Sequence, residues 1–189
     1  MEKKLEQTKS DCLKIALFGP ESTGKTTLAK ALAAHYKTNW VPEFARDYLQ
    51  KKWNEEAKIC ELEDILPIGI GQMELENKLT KEANKLLFCD TNLLETQVYS
   101  EVYYSGACPN EIKKYAFKNT YDLYFLTYID TPWEADDLRD KPNEREKMFD
   151  AFQDALENNN IPYIILKGTK QKRLETAIQY IDQLIKSKP

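Results

Sequence analysis

The chain has a single histidine, His35, among its 189 residues. That scarcity disfavours hydrolytic triads built on an imidazole base and metal sites built on paired histidines. His35 itself reads as a helix-face residue. Four cysteines are present, Cys12, Cys60, Cys89 and Cys108, and none forms a C-x-x-C pair. They read as thiols of a reducing compartment, not as metal ligands or disulfide partners. No run of apolar residues approaches the ~20 needed to cross a bilayer. Residues 1–10 are polar and lysine-rich with no apolar stretch behind them, so they do not read as a secretory signal. A cytoplasmic protein with no membrane partner is expected. The formal net charge of −4 gives no overall pull toward nucleic acid. Internal repeats, low-complexity tracts and linkers are also lacking, and the length suits one domain with its own core.

Against these absences stands one strong motif. Gly19-Pro20-Glu21-Ser22-Thr23-Gly24-Lys25-Thr26 satisfies the phosphate-binding pattern G-x-x-x-x-G-K-[ST] at every constrained position. The apolar run Leu13–Phe18 before it reads as a buried strand. The segment from Thr27 to Tyr36 after it carries Leu28, Leu32 and Tyr36 at helical spacing. Strand, loop and helix are the context that the motif requires. Gly19 and Gly24 allow the tight turn. The backbone N–H groups around Glu21, Ser22, Thr23 and Thr27 then converge on an anion, helped by the helix dipole. Lys25 would bridge the β- and γ-phosphates, and the Thr26 hydroxyl would be a ligand of Mg²⁺. A nucleoside triphosphate is the expected ligand, with ATP and Mg²⁺ as cofactors.

Four more strands are expected, at residues 39–42, 85–90, 121–126 and 162–166. Helical patterns begin at Glu43 and cover 66–84, 93–104, 144–158 and the final segment. Residues 1–11 read as a frayed leader or short helix, and 51–64 as an irregular charged excursion. Residues 131–142 read as a loop rich in proline and charge, suited to a lid. Alternating strands and helices argue for one α/β domain over 1–189, a five-stranded parallel sheet covered on both faces. Ligands of such sheets bind beyond the carboxyl ends of the strands.

Several residues expected at those strand ends carry suitable chemistry. Asp90 ends the third expected strand, where a carboxylate can hold a metal-bound water. It can also cap a helix, as can Thr91 and Asn92; Thr91 is in addition placed on the substrate side. Glu43 could accept a hydroxyl proton during phosphoryl transfer, with Arg46 bracing the moving group. Equally, the two could be a solvated salt bridge on a first helical turn. In the 131–142 loop, Arg139 could reach the phosphoryl group, Trp133 could pack on a planar ring and Asp136 could hold ribose hydroxyls. A charged surface loop anchored by one tryptophan is the plainer reading. Gly168 and Arg173 could line an adenine pocket or simply start a basic helix.

Taken in order, the segment Phe18–Leu28, the segment Val41-Pro42-Glu43-Phe44-Ala45-Arg46-Asp47-Tyr48, the segment Phe88–Thr96, Pro132-Trp133 through Leu138-Arg139, and Gly168 with Arg173 resemble the ribosylnicotinamide kinase domain of NadR-type bacterial enzymes. The resemblance runs from about Lys14 to Ile185. It implies a nucleoside/nucleotide-kinase-like three-layer α/β/α fold. It implies ATP-dependent phosphorylation of nicotinamide riboside at the ribose 5′-hydroxyl. From charge and composition, no nucleic-acid partner and no obligatory protein partner are expected. It casts Glu43 as base, Arg139 as a lid arginine, Trp133 and Asp136 as substrate contacts and Arg173 as an adenine neighbour. Asn92 stands where the family often has a second acid, and Asp137 where a glycine is common. A stand-alone kinase is expected, lacking the histidine-containing adenylyltransferase that such proteins often carry. A kinase for another nucleoside is the nearer alternative. A regulatory nucleotide-binding switch is the more distant one.

Overall fold

The computed structural model describes residues 2–134 and 143–188. Strands β1 (Leu13–Phe18), β2 (Trp40–Val41), β3 (Leu86–Asp90), β4 (Leu123–Thr127) and β5 (Tyr163–Leu166) form one sheet in the order β2-β3-β1-β4-β5. Every pairing is parallel. The helices between them are α1 (Lys25–Tyr36), α2 (Phe44–Glu56), α3 (Ile65–Glu82), α4 (Leu93–Tyr103), α5 (Asn110–Lys118), α6 (Arg145–Glu157) and α7 (Lys170–Ser187). The expected three-layer α/β/α sheet is what forms.

β1 explains the layering. Its side chains alternate between the two faces of the sheet. Ile15 and Leu17 pack with Leu28 and Leu32 of α1 and with Ala177 and Ile181 of α7. Ala16 and Phe18 face Met73 of α3, Leu94 and Val98 of α4, and Phe149 and Phe152 of α6. With both faces covered, an unbroken apolar strand is the economical choice. β1 pairs with β3 on one side and β4 on the other. The loop leaving its carboxyl end therefore opens between the ends of those two strands, at the switch point of the strand order.

Two expectations change and a third is decided. The region 51–64 is not one irregular excursion, because α2 continues to Glu56 and a 3-10 turn covers Leu62–Asp64. Buried Asp64 accepts hydrogen bonds from Lys52 (2.5 Å) and Tyr48 (2.9 Å), which fastens α2 to the entry of α3. Helix α5 has no counterpart among the helical patterns of the sequence. It buries Ile112, Tyr115 and Ala116 at helical spacing. Finally, of the two readings of the opening residues, the short helix is the one that forms. Glu2–Leu5 is a 3-10 turn, and Leu5 is fully buried within the larger core. The Asn119 amide donates to the Leu5 carbonyl (2.9 Å), while the Gln7 and Thr8 N–H groups donate to Asn119 and Asn77.

Among the described residues no helix is long and apolar enough to cross a membrane. The four cysteines are free thiols.

Leu5 gives a direct test of the packed amino terminus. Leu5→Ala should lower unfolding stability in denaturant titration by about 2–5 kcal/mol, as deletion of a core leucine does. A loss below roughly 0.5 kcal/mol, the range for surface changes, would return these residues to the status of a loose leader.

Candidate active site

Gly19 adopts φ +139°, and a Cβ there would lie 2.7 Å from the Thr127 hydroxyl of β4. Glycine is thus required by the close approach of loop and strand as well as by the backbone angle. Ser22 (φ +57°) and Gly24 (φ +86°) are also left-handed, and they turn the chain into the first turn of α1. Thr23 is buried, with its hydroxyl 2.7 Å from both the Pro20 carbonyl and the Thr127 hydroxyl. Lys25 is drawn inward. Its ammonium donates to the carbonyls of Gly19 (2.6 Å) and Pro20 (3.0 Å) and lies 3.2 Å from the carboxylate of Glu95 on α4. Burial opposes the lysine's charge, but Glu95, Glu43 and Asp90 outweigh it and raise its pKa.

The Thr26 hydroxyl donates to Asp90 Oδ2 at 2.5 Å. Asp90 is 1% exposed, its other oxygen Oδ1 has no described hydrogen-bond partner, and burial raises its pKa. A hydroxyl beside a carboxylate with a spare oxygen suits a hard cation such as Mg²⁺. Among the described residues no cluster of three or more His, Cys, Asp or Glu side chains could hold a metal alone. The pair therefore fits an ion that draws its remaining ligands from phosphate and water.

Two arginines hold the loop from below. Arg173, in the first turn of α7, is 4% exposed. It donates to the carbonyls of Thr23 (2.7 Å), Tyr128 (2.9 Å) and Gly168 (3.0 Å) and to the carboxylate of Asp130. Its donors thus face three backbone carbonyls and one carboxylate of the chain itself, and Arg173 is not among the residues that line the cavity. Gly168 itself does line the cavity. Arg145, which no motif marks, donates to the Thr131 carbonyl (2.7 Å) and more weakly to the Ser22 carbonyl (3.3 Å). Its guanidinium sits 5.7 Å from the centre of the Trp133 ring. Trp133 is thus engaged with Arg145, and Pro132 and Glu134 line the cavity beside it. Asp136 and Arg139 lie outside the described residues.

The loop opens into a cavity of about 780 Å³. Glu21, Ser22, Thr23, Gly24, Lys25, Thr26 and Thr27 line its polar end, together with Glu43, Arg46 and Thr91. Glu43 sits at the start of α2, and Gln72 of α3 grips the chain on both sides of it. The Gln72 amide donates to the Pro42 carbonyl (3.2 Å) and accepts from the Phe44 N–H (2.8 Å). Phe44 can lie against α3 only because Gly71 has no side chain; a Cβ there would come within 2.2 Å of the ring. Arg46 is exposed at the rim. Thr91 is buried at φ +96°, an uncommon conformation for a β-branched residue and one associated with functional sites. Asn92 caps α4 by accepting from the Glu95 N–H (3.0 Å). The far end of the cavity is apolar and aromatic, with Leu49, Trp53, Ile68, Tyr99, Tyr103 and Tyr104 on its walls. Tyr99 packs edge-on against Phe152, but it also faces the cavity.

Comparison with known proteins places this geometry. The protein family described as "AAA domain" matches residues 14–173. The trifunctional NAD biosynthesis/regulator protein NadR of Salmonella typhimurium is 29% identical over 155 residues, covering 81% of this chain and 38% of that protein. NadR of Escherichia coli is 30% identical over 152 residues, covering 79% and 37% respectively. The chain thus spans well under half the length of these curated relatives. A NadR protein solved in complex with NR superposes with a TM-score of 0.77 at 22% identity, over 92% of this chain and 51% of that one. Deoxyadenosine kinase from M. mycoides with bound dATP shares the fold at a TM-score of 0.60 and 14% identity, over 90% of this chain and 99% of that one. The resemblance read from the motifs is thereby borne out.

Bracing and stacking roles for Arg173 give different outcomes. Arg173→Lys should weaken inorganic tripolyphosphate and ATP by similar factors, about tenfold or more, the scale of one lost charge-assisted hydrogen bond. Calorimetric titration of both ligands checks this. A loss confined to ATP would instead support the adenine-side role.

Proposed function

The chain belongs to the AAA domain family, and on that premise we propose that it is an ATP-dependent kinase acting on nicotinamide riboside. The product would be nicotinamide mononucleotide, formed by transfer of the γ-phosphoryl group to the ribose 5′-hydroxyl. One observation carries the reading. A single cavity joins the phosphate loop to an aromatic-walled chamber, and Glu43 lines it together with Lys25. A triphosphate in the loop and a nucleoside in the chamber would meet at that carboxylate. The similarity to NadR proteins, one solved with NR and one with NAD and AMP-PNP, supports this choice of substrates. The reaction would take place in the cytoplasm.

Phosphoryl transfer asks a protein mainly for positioning and for charge stabilisation. Loop N–H groups and the α1 dipole would hold the phosphates, and Lys25 would balance charge on the β- and γ-oxygens. Thr26 and Asp90 would hold Mg²⁺, which when bound neutralises charge on the phosphate oxygens. Glu43, fixed through Gln72, would accept the 5′-hydroxyl proton. Arg46 would brace the moving group from the rim, and the resemblance adds Arg139 and Asp136 from outside the described residues. In the chamber, the faces of Trp53, Tyr99, Tyr103 and Tyr104 suit a cationic pyridinium ring, because aromatic quadrupoles attract positive charge.

Substrate choice is tested by comparing kcat/KM for pyridinium, purine and pyrimidine ribosides with ATP. Nicotinamide riboside should lead by at least about tenfold, equivalent to roughly 1.4 kcal/mol. An equal or better purine or pyrimidine riboside would overturn the substrate, and folded ATP-binding protein without any turnover would overturn the kinase.

Glu43→Gln should cut kcat by about 10²–10⁴, the usual contribution of a general base, while the ATP dissociation constant changes little. Full kcat in that variant would remove Glu43 as base.

A further inference from the structure

Lys25 has no spare donor in this structure. An ammonium carries three N–H groups, and three acceptors surround this one: the Gly19 carbonyl, the Pro20 carbonyl and Glu95. Phosphate can engage the lysine only by displacing at least one of them. A carbonyl can be released to the incoming ligand's surroundings at modest cost. Glu95 is different. Its side chain is 1% exposed, and apart from the Lys25 ammonium no described residue donates a hydrogen bond to either of its oxygens. The acidic groups that bear on the same lysine, Glu43 before α2 and Asp90 at the end of β3, share its sign, and Tyr99 on its own helix faces it as a neutral phenol. Once the ammonium leaves, a bare carboxylate would remain buried among acids, which a protein avoids by neutralising the group.

We infer that Glu95 is a positioning residue that competes with the nucleotide for Lys25, and that wherever it is ionised in the free protein it takes up a proton from solvent when the lysine moves to the phosphates. The inference rests on the reading of the loop as an ATP site, but nothing in that reading requires it. The proton balance is simple: one solvent proton joins a Glu95 oxygen, and no other bond changes. Burial already lifts the Glu95 carboxyl to about 8 while Lys25 is beside it, and loss of the lysine lifts it further. The sign follows. Below pH 8 the carboxyl is largely protonated in both states, so binding needs no proton. Above pH 8 the free protein is ionised and the complex is not, so affinity falls with rising pH, by up to tenfold per unit for one proton. Lys25 stays charged through this window, because its own pKa is raised above the ordinary lysine value.

The experiment is the dissociation constant of Mg-ATP, without acceptor, from pH 7 to 9.5, with adenosine as a ligand that needs no lysine. Wild-type protein should hold a constant affinity for Mg-ATP up to about pH 8 and then lose three- to tenfold per unit, whereas adenosine binding stays flat. In Glu95→Gln the Mg-ATP slope should vanish, so that the variant matches wild type at pH 7 and binds more tightly at pH 9. Calorimetry in buffers of different ionisation enthalpy should show proton uptake at pH 9 for wild type alone. If the variant does not fold, the contrast between Mg-ATP and adenosine on wild-type protein still decides. A flat Mg-ATP profile above pH 8, or the same slope in Glu95→Gln, overturns the inference and leaves the kinase standing. Absence of any Mg-ATP binding would instead remove the nucleotide site itself.

Discussion

The buried guanidinium of Arg173 ties together the parts on which the site depends. It reaches the Thr23 carbonyl of the phosphate loop, the Tyr128 carbonyl and Asp130 beyond β4, and the Gly168 carbonyl beyond β5. They lie beyond the carboxyl ends of three strands, β1, β4 and β5, where a parallel sheet leaves backbone groups without ladder partners. One planar cation with a fixed fork of donors satisfies several of them at once, which a flexible ammonium would do less well. The loop's inward N–H groups then have a rigid frame behind them, and rigidity is what makes such donors effective toward phosphate.

The same region carries the conformational and electrostatic costs of the molecule. Ser22 and Thr91 sit at positive φ, and Lys25, Asp90 and Glu95 are all withdrawn from water. Such features persist only where the surroundings over-determine them. Here the surroundings are the two packed faces of the sheet, with Phe18, Phe88 and Phe125 among the fully buried side chains. A stable core holds a locally unfavourable site in place, as functional sites commonly require.

Much of this is legible in the residues. The strands stand out because β1 and β3 are continuous apolar runs, as strands covered on both faces must be. The loop motif fixes Gly19 to Thr26 as a phosphate cradle without further help. What stays hidden has physical causes. Helix α5 is rich in charge, with Glu111, Lys113, Lys114 and Lys118, and shows only a narrow apolar stripe. Gln72 and Arg145 act on backbone carbonyls, which every residue possesses, so no side-chain pattern marks their partners. Glu95 looks like an ordinary helix-forming residue until the fold sets it beside Lys25. Arg173 is legible as belonging to the site, but whether its donors face a ligand or the chain's own backbone depends on how deeply α7 sets its first turn.

The strand order has a consequence for how the chain is made. β1 is synthesised first yet occupies the middle of the sheet, with partners at Leu86–Asp90 and Leu123–Thr127. Until those segments leave the ribosome, an apolar strand has both hydrogen-bonding edges unpaired and both faces uncovered. Unpaired edges of that kind invite pairing with other chains, and parallel sheets with distant partners close slowly. A nascent chain is therefore at its most vulnerable between the emergence of its phosphate loop and the arrival of β4, and chaperone protection would matter most in that interval.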